Sequence, residues 1–304
     1  MILGNEELGF WRLGLARGCQ LCMAGLKVVV FISEGCSANC FYCPLSMDRR
    51  KRGAFYADEE VVASFEDVVD EVSSVGALGV SITGGEPLQA LDRVVELVKA
   101  LRECFGSYIH IHAYTCGLYA TPRTIDVLNN AWLDELRFHP VDIGVWKLVE
   151  YASRETSMEV GVEIPAIPCY SLLKAVILEA WNRGAKFVNL NELEVSDTNV
   201  DRLVARGLRP SRDGRVVEGS LNVALKVLEW AEDEGLDIVI RVCTAKFKDG
   251  VQHAKRLWRK AIALAPKGAR VESDGIVVFG ERVAYPSLDE LAPKVMRIGK
   301  RGSV

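Results

Sequence analysis

Short β-branched apolar runs alternate with amphipathic stretches of helical period along most of this chain, and that alternation narrows its fold more than any other feature. Residues 28–32, 79–83, 108–114, 134–138, 158–164, 187–190 and 236–243 read as strands. Between them, apolar positions recur at three and four, as at Val94, Val95, Leu97, Val98 and Leu101. The same spacing predicts a helix over 58–72 with Asp58 as its N-cap. Further helices are predicted over 122–131, 143–153, 171–183, 222–234 and 249–264, two of them closed by Gly184 and Gly235. Strand–helix units of this kind pair their strands in parallel through right-handed crossovers. The expected class is therefore α/β, with six to seven parallel strands. Periodicity leaves a partial barrel and a flat doubly wound sheet both open.

Composition supports one large domain. The chain has 304 residues, of which 49% are hydrophobic and 26% charged, enough to build a substantial core. A net charge of −4 argues against a dedicated nucleic-acid binder. No apolar run reaches the roughly 18–20 residues of a membrane span, and nothing near Met1 resembles a signal peptide, so a cytoplasmic protein with no membrane partner is expected. Nine cysteines, an odd number, then read as metal ligands and free thiols rather than a disulfide framework. Three segments are expected: an irregular extension over 1–25 that carries Cys19-x2-Cys22, the strand–helix repeat over 26–266, and a small β appendage with a basic tail over 267–304. The appendage is marked by turn signals at Ser273-Asp-Gly and Phe279-Gly-Glu.

Three of the cysteines lie together in Cys36-Ser-Ala-Asn-Cys40-Phe-Tyr-Cys43, immediately after the first strand. So close a spacing suits a loop folded around one soft metal centre. Zinc and ordinary electron-carrying clusters usually take four protein ligands. Three thiolates leave one iron of a four-iron cluster free to bind something else. At the end of the second strand stands Ser81-Ile-Thr-Gly84-Gly85-Glu86-Pro87, in which the two glycines let backbone approach a partner closely.

The C-x3-C-x2-C run with Tyr42 before its last cysteine resembles the cluster loop of the radical S-adenosylmethionine (SAM) superfamily. Gly84 to Pro87 is similar to that superfamily's Gly-Gly-Glu-Pro segment. The nearer resemblance is to archaeal proteins related to pyruvate formate-lyase activating enzyme, and the superfamily likeness spans roughly residues 27–243. It implies a partial (β/α) barrel in which Cys36, Cys40 and Cys43 hold a [4Fe-4S] cluster whose fourth iron binds SAM. It implies that Gly84, Gly85, Glu86 and Pro87 receive the methionine end, with Glu86 facing its ammonium, and that Tyr42 meets the adenine. The reaction implied is reductive cleavage of SAM to a 5′-deoxyadenosyl radical that abstracts hydrogen from a substrate. An external electron donor of flavodoxin or ferredoxin type is implied, and the substrate is a protein, an RNA or a small molecule. In barrels, chemistry collects where strands end, and both motifs fall there.

Other strand ends carry further candidates. Asn191 and Glu192 follow the sixth strand and are candidates for the SAM ribose or the substrate. His139 follows the fourth, and Cys116, where many relatives carry Asn, reads as a small core thiol. Cys19, Cys22 and Cys243 form a candidate second metal site for an additional cluster or zinc. The run Arg49-Arg-Lys-Arg52 is a solvated face, or a phosphate or RNA contact at the mouth. The reading from a different class is a non-catalytic iron–sulfur electron carrier or metal-stabilised scaffold; such a protein has no need of the Gly84–Pro87 segment.

Overall fold

The computed structural model describes residues 1–33, 35–50 and 55–278. Eleven strands form one sheet: β1 (Ile2–Asn5), β2 (Gly9–Arg12), β3 (Lys27–Ser33), β4 (Tyr56–Ala57), β5 (Glu60–Val61), β6 (Gly79–Gly84), β7 (His110–Thr115), β8 (Glu135–Phe138), β9 (Glu159–Pro165), β10 (Phe187–Asn191) and β11 (Val239–Cys243). Their spatial order is β1-β2-β11-β10-β9-β8-β7-β6-β3-β4-β5. From β3 through β6 to β11 every neighbouring pair is parallel.

These seven parallel strands never reverse their order. Each right-handed crossover then winds the same way, and the connecting helices fall on one face of the sheet. A doubly wound sheet needs a reversal of order, so that alternative is excluded. β11 pairs with β2 and not with β3, so the barrel is partial. Helical residues Val94, Leu97, Val98 and Leu101 pack with the outward strand residues Val28, Val30, Val80 and Ile82 in one apolar core. Side chains alternate along a strand, and the opposite, inward set is polar yet buried: Ser81, His112, Glu135, Arg137, Asn189 and Arg241.

The first 25 residues are not the irregular extension expected from their composition. β1 and β2 form an antiparallel hairpin that extends the sheet from β11. Helix α1 (Arg17–Met23) then lies against the inward face. Gly18 N donates to Glu135 Oε2 at 3.2 Å, and a Cβ on Gly18 would fall 2.6 Å from Arg137 Nη2 and 2.8 Å from the His112 ring. Helix α1 can enter the barrel only because Gly18 has no side chain. The segment was hard to read because a seven-residue helix shows barely two turns of periodicity.

The predicted helix over 58–72 is also corrected. β4 and β5 form a hairpin there, and Asp58 sits in its turn at φ 55°, a conformation that Asp tolerates. Its Oδ1 accepts from Val29 N at 2.8 Å. Helix α2 (Phe65–Ser74) begins later, at a capping box in which Ser64 and Asp67 satisfy each other's backbone N–H groups. Val61, counted into the helical stripe, is 73% exposed. At the far end, β12 (Arg270–Val271) and β13 (Val277–Val278) make a separate antiparallel pair. The Phe279-Gly-Glu turn, the basic tail, Lys51 and Arg52 lie outside the described residues. Arg49 is engaged structurally: its guanidinium lies 4.3 Å from the Tyr56 ring centroid and donates to Asp58 O at 3.0 Å. Replacing Ser64 by Ala should lower the unfolding free energy by about 1 kcal/mol, measured by urea denaturation; an unchanged midpoint would contradict the assigned helix start.

Candidate active site

The C-terminal ends of the parallel strands rim a cavity of about 340 Å3. Cys36, Cys40 and Cys43 line it together with Tyr42, the Gly84–Pro87 turn, Asn191 and Glu192. Every residue expected to serve the cluster or SAM therefore faces one space. The two motifs are locked by backbone contact. A Cβ on Gly85 would lie 2.1 Å from Gly35 O, so the turn after β6 presses directly on the cysteine loop. Gly84 supplies the positive φ of 152° that the turn requires.

Glu86 is completely buried. Its carboxylate accepts from Leu88 N at 3.0 Å, Thr115 Oγ1 at 2.8 Å and Cys116 N at 2.6 Å. It thus ties the end of β6 to the end of β7 and caps the short turn Pro87–Ala90. Cys116 is more than a core thiol, since it meets Cys36. Their hydrogen bond holds the Cys36 thiol down at about 6, against the effect of burial, and pushes Cys116 up.

The cysteine loop is pinned from the far side by residues that carried no signal in the sequence. Asn199 Nδ2 donates to Tyr42 O at 3.0 Å, and Arg202 Nη1 donates to Cys40 O at 3.1 Å. The Tyr42 hydroxyl lies 2.7 Å from His139 Nε2. His139 Nδ1 lies 2.9 Å from the carbonyl of Glu163, which can only accept, so Nδ1 carries the proton and Nε2 receives the tyrosine hydrogen. Burial pushes the His139 pKa down and keeps the ring neutral.

Opposite the cysteines, Glu163 gathers three donors: Arg137 Nη1 at 2.8 Å, Asn189 Nδ2 at 2.9 Å and Asn191 Nδ2 at 2.9 Å. The Glu192 carboxylate accepts from Ala245 N at 2.8 Å, the first N–H of the turn Ala245–Phe247, whose cap is Thr244. Glu194 pairs with Lys248, and both line the same space.

Below the mouth lies an inner cavity of about 310 Å3, adjoining the first at Thr83, Tyr114, Glu163, Asn191 and Lys248, which line both. Cys19, Cys22 and Cys243 all face it. All nine cysteines are unbridged. The thiols of Cys19, Cys22 and Cys243 do not converge as ligands of one ion: among the described residues, the one group of three or more whose ligand atoms all lie within 4.8 Å of one another is His110, His112 and Glu135. The zinc form of the second-site expectation is therefore not supported, while a cluster with thiolates on separate corners needs no such convergence. The cation site suggested by His110, His112 and Glu135 is opposed by Arg137, which is bonded to Glu135 and lowers the His112 pKa together with burial.

The profile of the radical SAM superfamily matches residues 30–140. A Methanocaldococcus jannaschii protein, provisionally named a glycyl-radical enzyme activating enzyme, is 35% identical over 277 residues, covering 88% of this chain and 73% of that protein. Among solved structures, methylornithine synthase aligns over 94% of this chain and 88% of its own at 14% identity and a TM-score of 0.49. The Streptococcus suis SuiB protein bound to S-adenosylmethionine aligns over 75% and 50%, also at 14% identity and a TM-score of 0.49. The chain belongs to the radical SAM superfamily. It is an enzyme of that class, and the cofactors of the class are a [4Fe-4S] cluster and SAM. The residues present fit both groups: three unbridged thiols at the cavity wall, a glycine turn packed against their loop, and a polar far wall.

The Glu163 network sets a pH-dependent contribution to stability. Burial raises the Glu163 pKa, but Arg137, Asn189 and Asn191 outweigh it and hold the carboxyl at about 2, below its ordinary 4.5. A depressed carboxyl stabilises the fold above its unfolded pKa, and that stabilisation is lost as the pH falls through the folded value. Glu163→Gln should cost on the order of 3 kcal/mol at pH 7. The difference from wild type should shrink below about pH 4.5; denaturant unfolding at several pH values checks this, and a pH-independent difference would contradict it.

Proposed function

We propose that the chain cleaves SAM reductively at the upper cavity and directs the resulting radical at a small molecule held in the inner cavity. The adjacency of the two cavities, which share Thr83, Tyr114, Glu163, Asn191 and Lys248 in their walls, supports this reading. The cluster, when bound, supplies the electron that breaks the sulfonium bond to give methionine and a 5′-deoxyadenosyl radical, which takes a hydrogen atom from a substrate C–H bond. The electron comes from a reduced flavodoxin- or ferredoxin-type donor.

In this proposal Cys36, Cys40 and Cys43 hold the cluster. The backbone of Gly84 and Gly85 receives the methionine end of SAM, with the buried Glu86 carboxylate behind it and Pro87 stiffening the turn. Tyr42 lies against the adenine, its hydroxyl fixed by His139. Asn191 and Glu192 present polar groups to the ribose, and their bonds to Glu163 and Ala245 N hold them in place. A second reading is activation of a glycyl-radical partner protein. The name of the 35%-identical relative favours it, whereas the modest inner cavity, backed by α1, favours a small substrate.

Anaerobically reconstituted protein given dithionite and SAM should release 5′-deoxyadenosine, quantified by liquid chromatography. Cys40→Ala should lose both iron and that product. A wild-type protein that binds iron yet releases no 5′-deoxyadenosine would mark an electron carrier or scaffold. Gly85→Ala, whose new methyl collides with Gly35 O, should reduce product formation at least about tenfold, because displacing the turn misplaces SAM; unaltered turnover would sink the locked-turn argument.

A further inference from the structure

The inner cavity holds more positive charge than its acids balance. Arg137 is shared between Glu135 and Glu163, and Lys248 is paired with Glu194. Lys27 and Arg241 line the same cavity, and neither forms an ion pair among the described residues. Arg241 is the stronger anomaly. It is 2% exposed, and its Nε and Nη2 have no hydrogen-bond partner among the described residues. Nη1 reaches Cys19 O only at 3.5 Å. The Phe247 ring, 4.5 Å from the guanidinium, holds it in position but cannot neutralise it. A buried charge without a partner costs several kcal/mol, and each orphaned donor adds to that. A protein retains such a group where something else supplies the counter-charge.

The form of the space says what that is. Its volume of about 310 Å3 lies at the lower end of small-molecule sites. Register places Arg241 beside Asn189 on β10, one inward position short of Cys243 at the strand end, so its guanidinium lies below the rim. We propose that the inner cavity selects a small anionic substrate, whose carboxylate or phosphate group is received by Arg241 through Nε and Nη2, with Lys27 as the second positive charge. A planar guanidinium offers this paired donation to either oxyanion. With the anion anchored below, the rest of the molecule extends toward Thr83 and Tyr114, where the two cavities meet. This assignment rests on the radical reading above and names the substrate class for it.

The test is thermal unfolding of the full chain at fixed ionic strength, with acetate, succinate and inorganic phosphate titrated separately. Wild type should gain stability with at least one of them, as a ligand that binds only the folded state requires. A response to acetate or succinate identifies a carboxylate headgroup, and a response to phosphate alone identifies a phosphorylated one. Arg241→Met should need roughly 10- to 100-fold more anion for the same shift, the factor expected from losing a charged hydrogen-bond pair. Without anion it should be at least as stable as wild type, because an unpaired buried charge has been removed. Three results would overturn the proposal. The first is a wild type unaffected by all three anions. The second is an Arg241→Met protein that is less stable yet keeps the full response. The third is iron in excess of one four-iron cluster that disappears in Cys19→Ala/Cys22→Ala, because a second cluster would then be the counter-charge. The anion response should survive in Cys40→Ala, so failure of the radical reading and failure of this one are separately visible.

Discussion

A parallel sheet wound always in one direction has only one face to give to its helices. That constraint governs the rest of this molecule. The outward alternates of the strands, such as Val28, Val30, Val80 and Ile82, meet the helices and exclude water. The inward alternates meet none of the crossover helices, only the short α1, and they carry Ser81, His112, Glu135, Arg137, Asn189 and Arg241. Buried polar groups are tolerable only when partnered, and most of these are. Glu135 and Glu163 bracket Arg137, the asparagines complete Glu163, and α1 donates its Gly18 N–H from within the barrel. Two of these groups lack partners among the described residues: His112, whose ring nitrogens are unbonded where α1 packs on the ring at Gly18, and Arg241, which with Lys27 lines a cavity.

The same winding brings every strand end to one rim, so loops distant in sequence must share space. Three contacts turn that proximity into a defined site. Gly85 against Gly35 fixes the distance between the glycine turn and the cysteine loop. Glu86 joins β6 to β7 from beneath. Asn199 and Arg202 hold the cysteine loop from the side of β10. None of these groups needs to touch a substrate to matter, because positioning is where much of the rate in such chemistry originates.

How much of this was legible depended on distance along the chain. The seven strands announced themselves through β-branched runs, and the two motifs through spacing, because both signals are local. The direction of winding was not legible, since a strand–helix repeat is the same string whether the order reverses or not. α1 was hidden by its brevity, and the start of α2 by Val61, whose side chain ended up exposed on a two-residue strand. The inward network was present as alternation, in Glu135-Leu-Arg137 and Phe187-Val-Asn189, but partners such as Arg137 with Glu163 are set by register between strands. Glu86 looked like a free carboxylate for a ligand; its three internal donors come from residues two to thirty positions away. Asn199 and Arg202 sit in a stretch with no motif, and only the folded loop reveals what they hold.

In the function proposed above, labour is divided between the rim, with its cluster and SAM motifs, and the polar interior that would seat what the radical attacks. Everything in that division depends on an open iron corner at the rim. Electron paramagnetic resonance of the dithionite-reduced, reconstituted protein, recorded with and without SAM, tests it most directly. The account predicts a reduced-cluster signal that changes shape when SAM is added and that is absent from the Cys36→Ala/Cys40→Ala/Cys43→Ala protein. A signal indifferent to SAM, or one that survives loss of the three thiols, would contradict it.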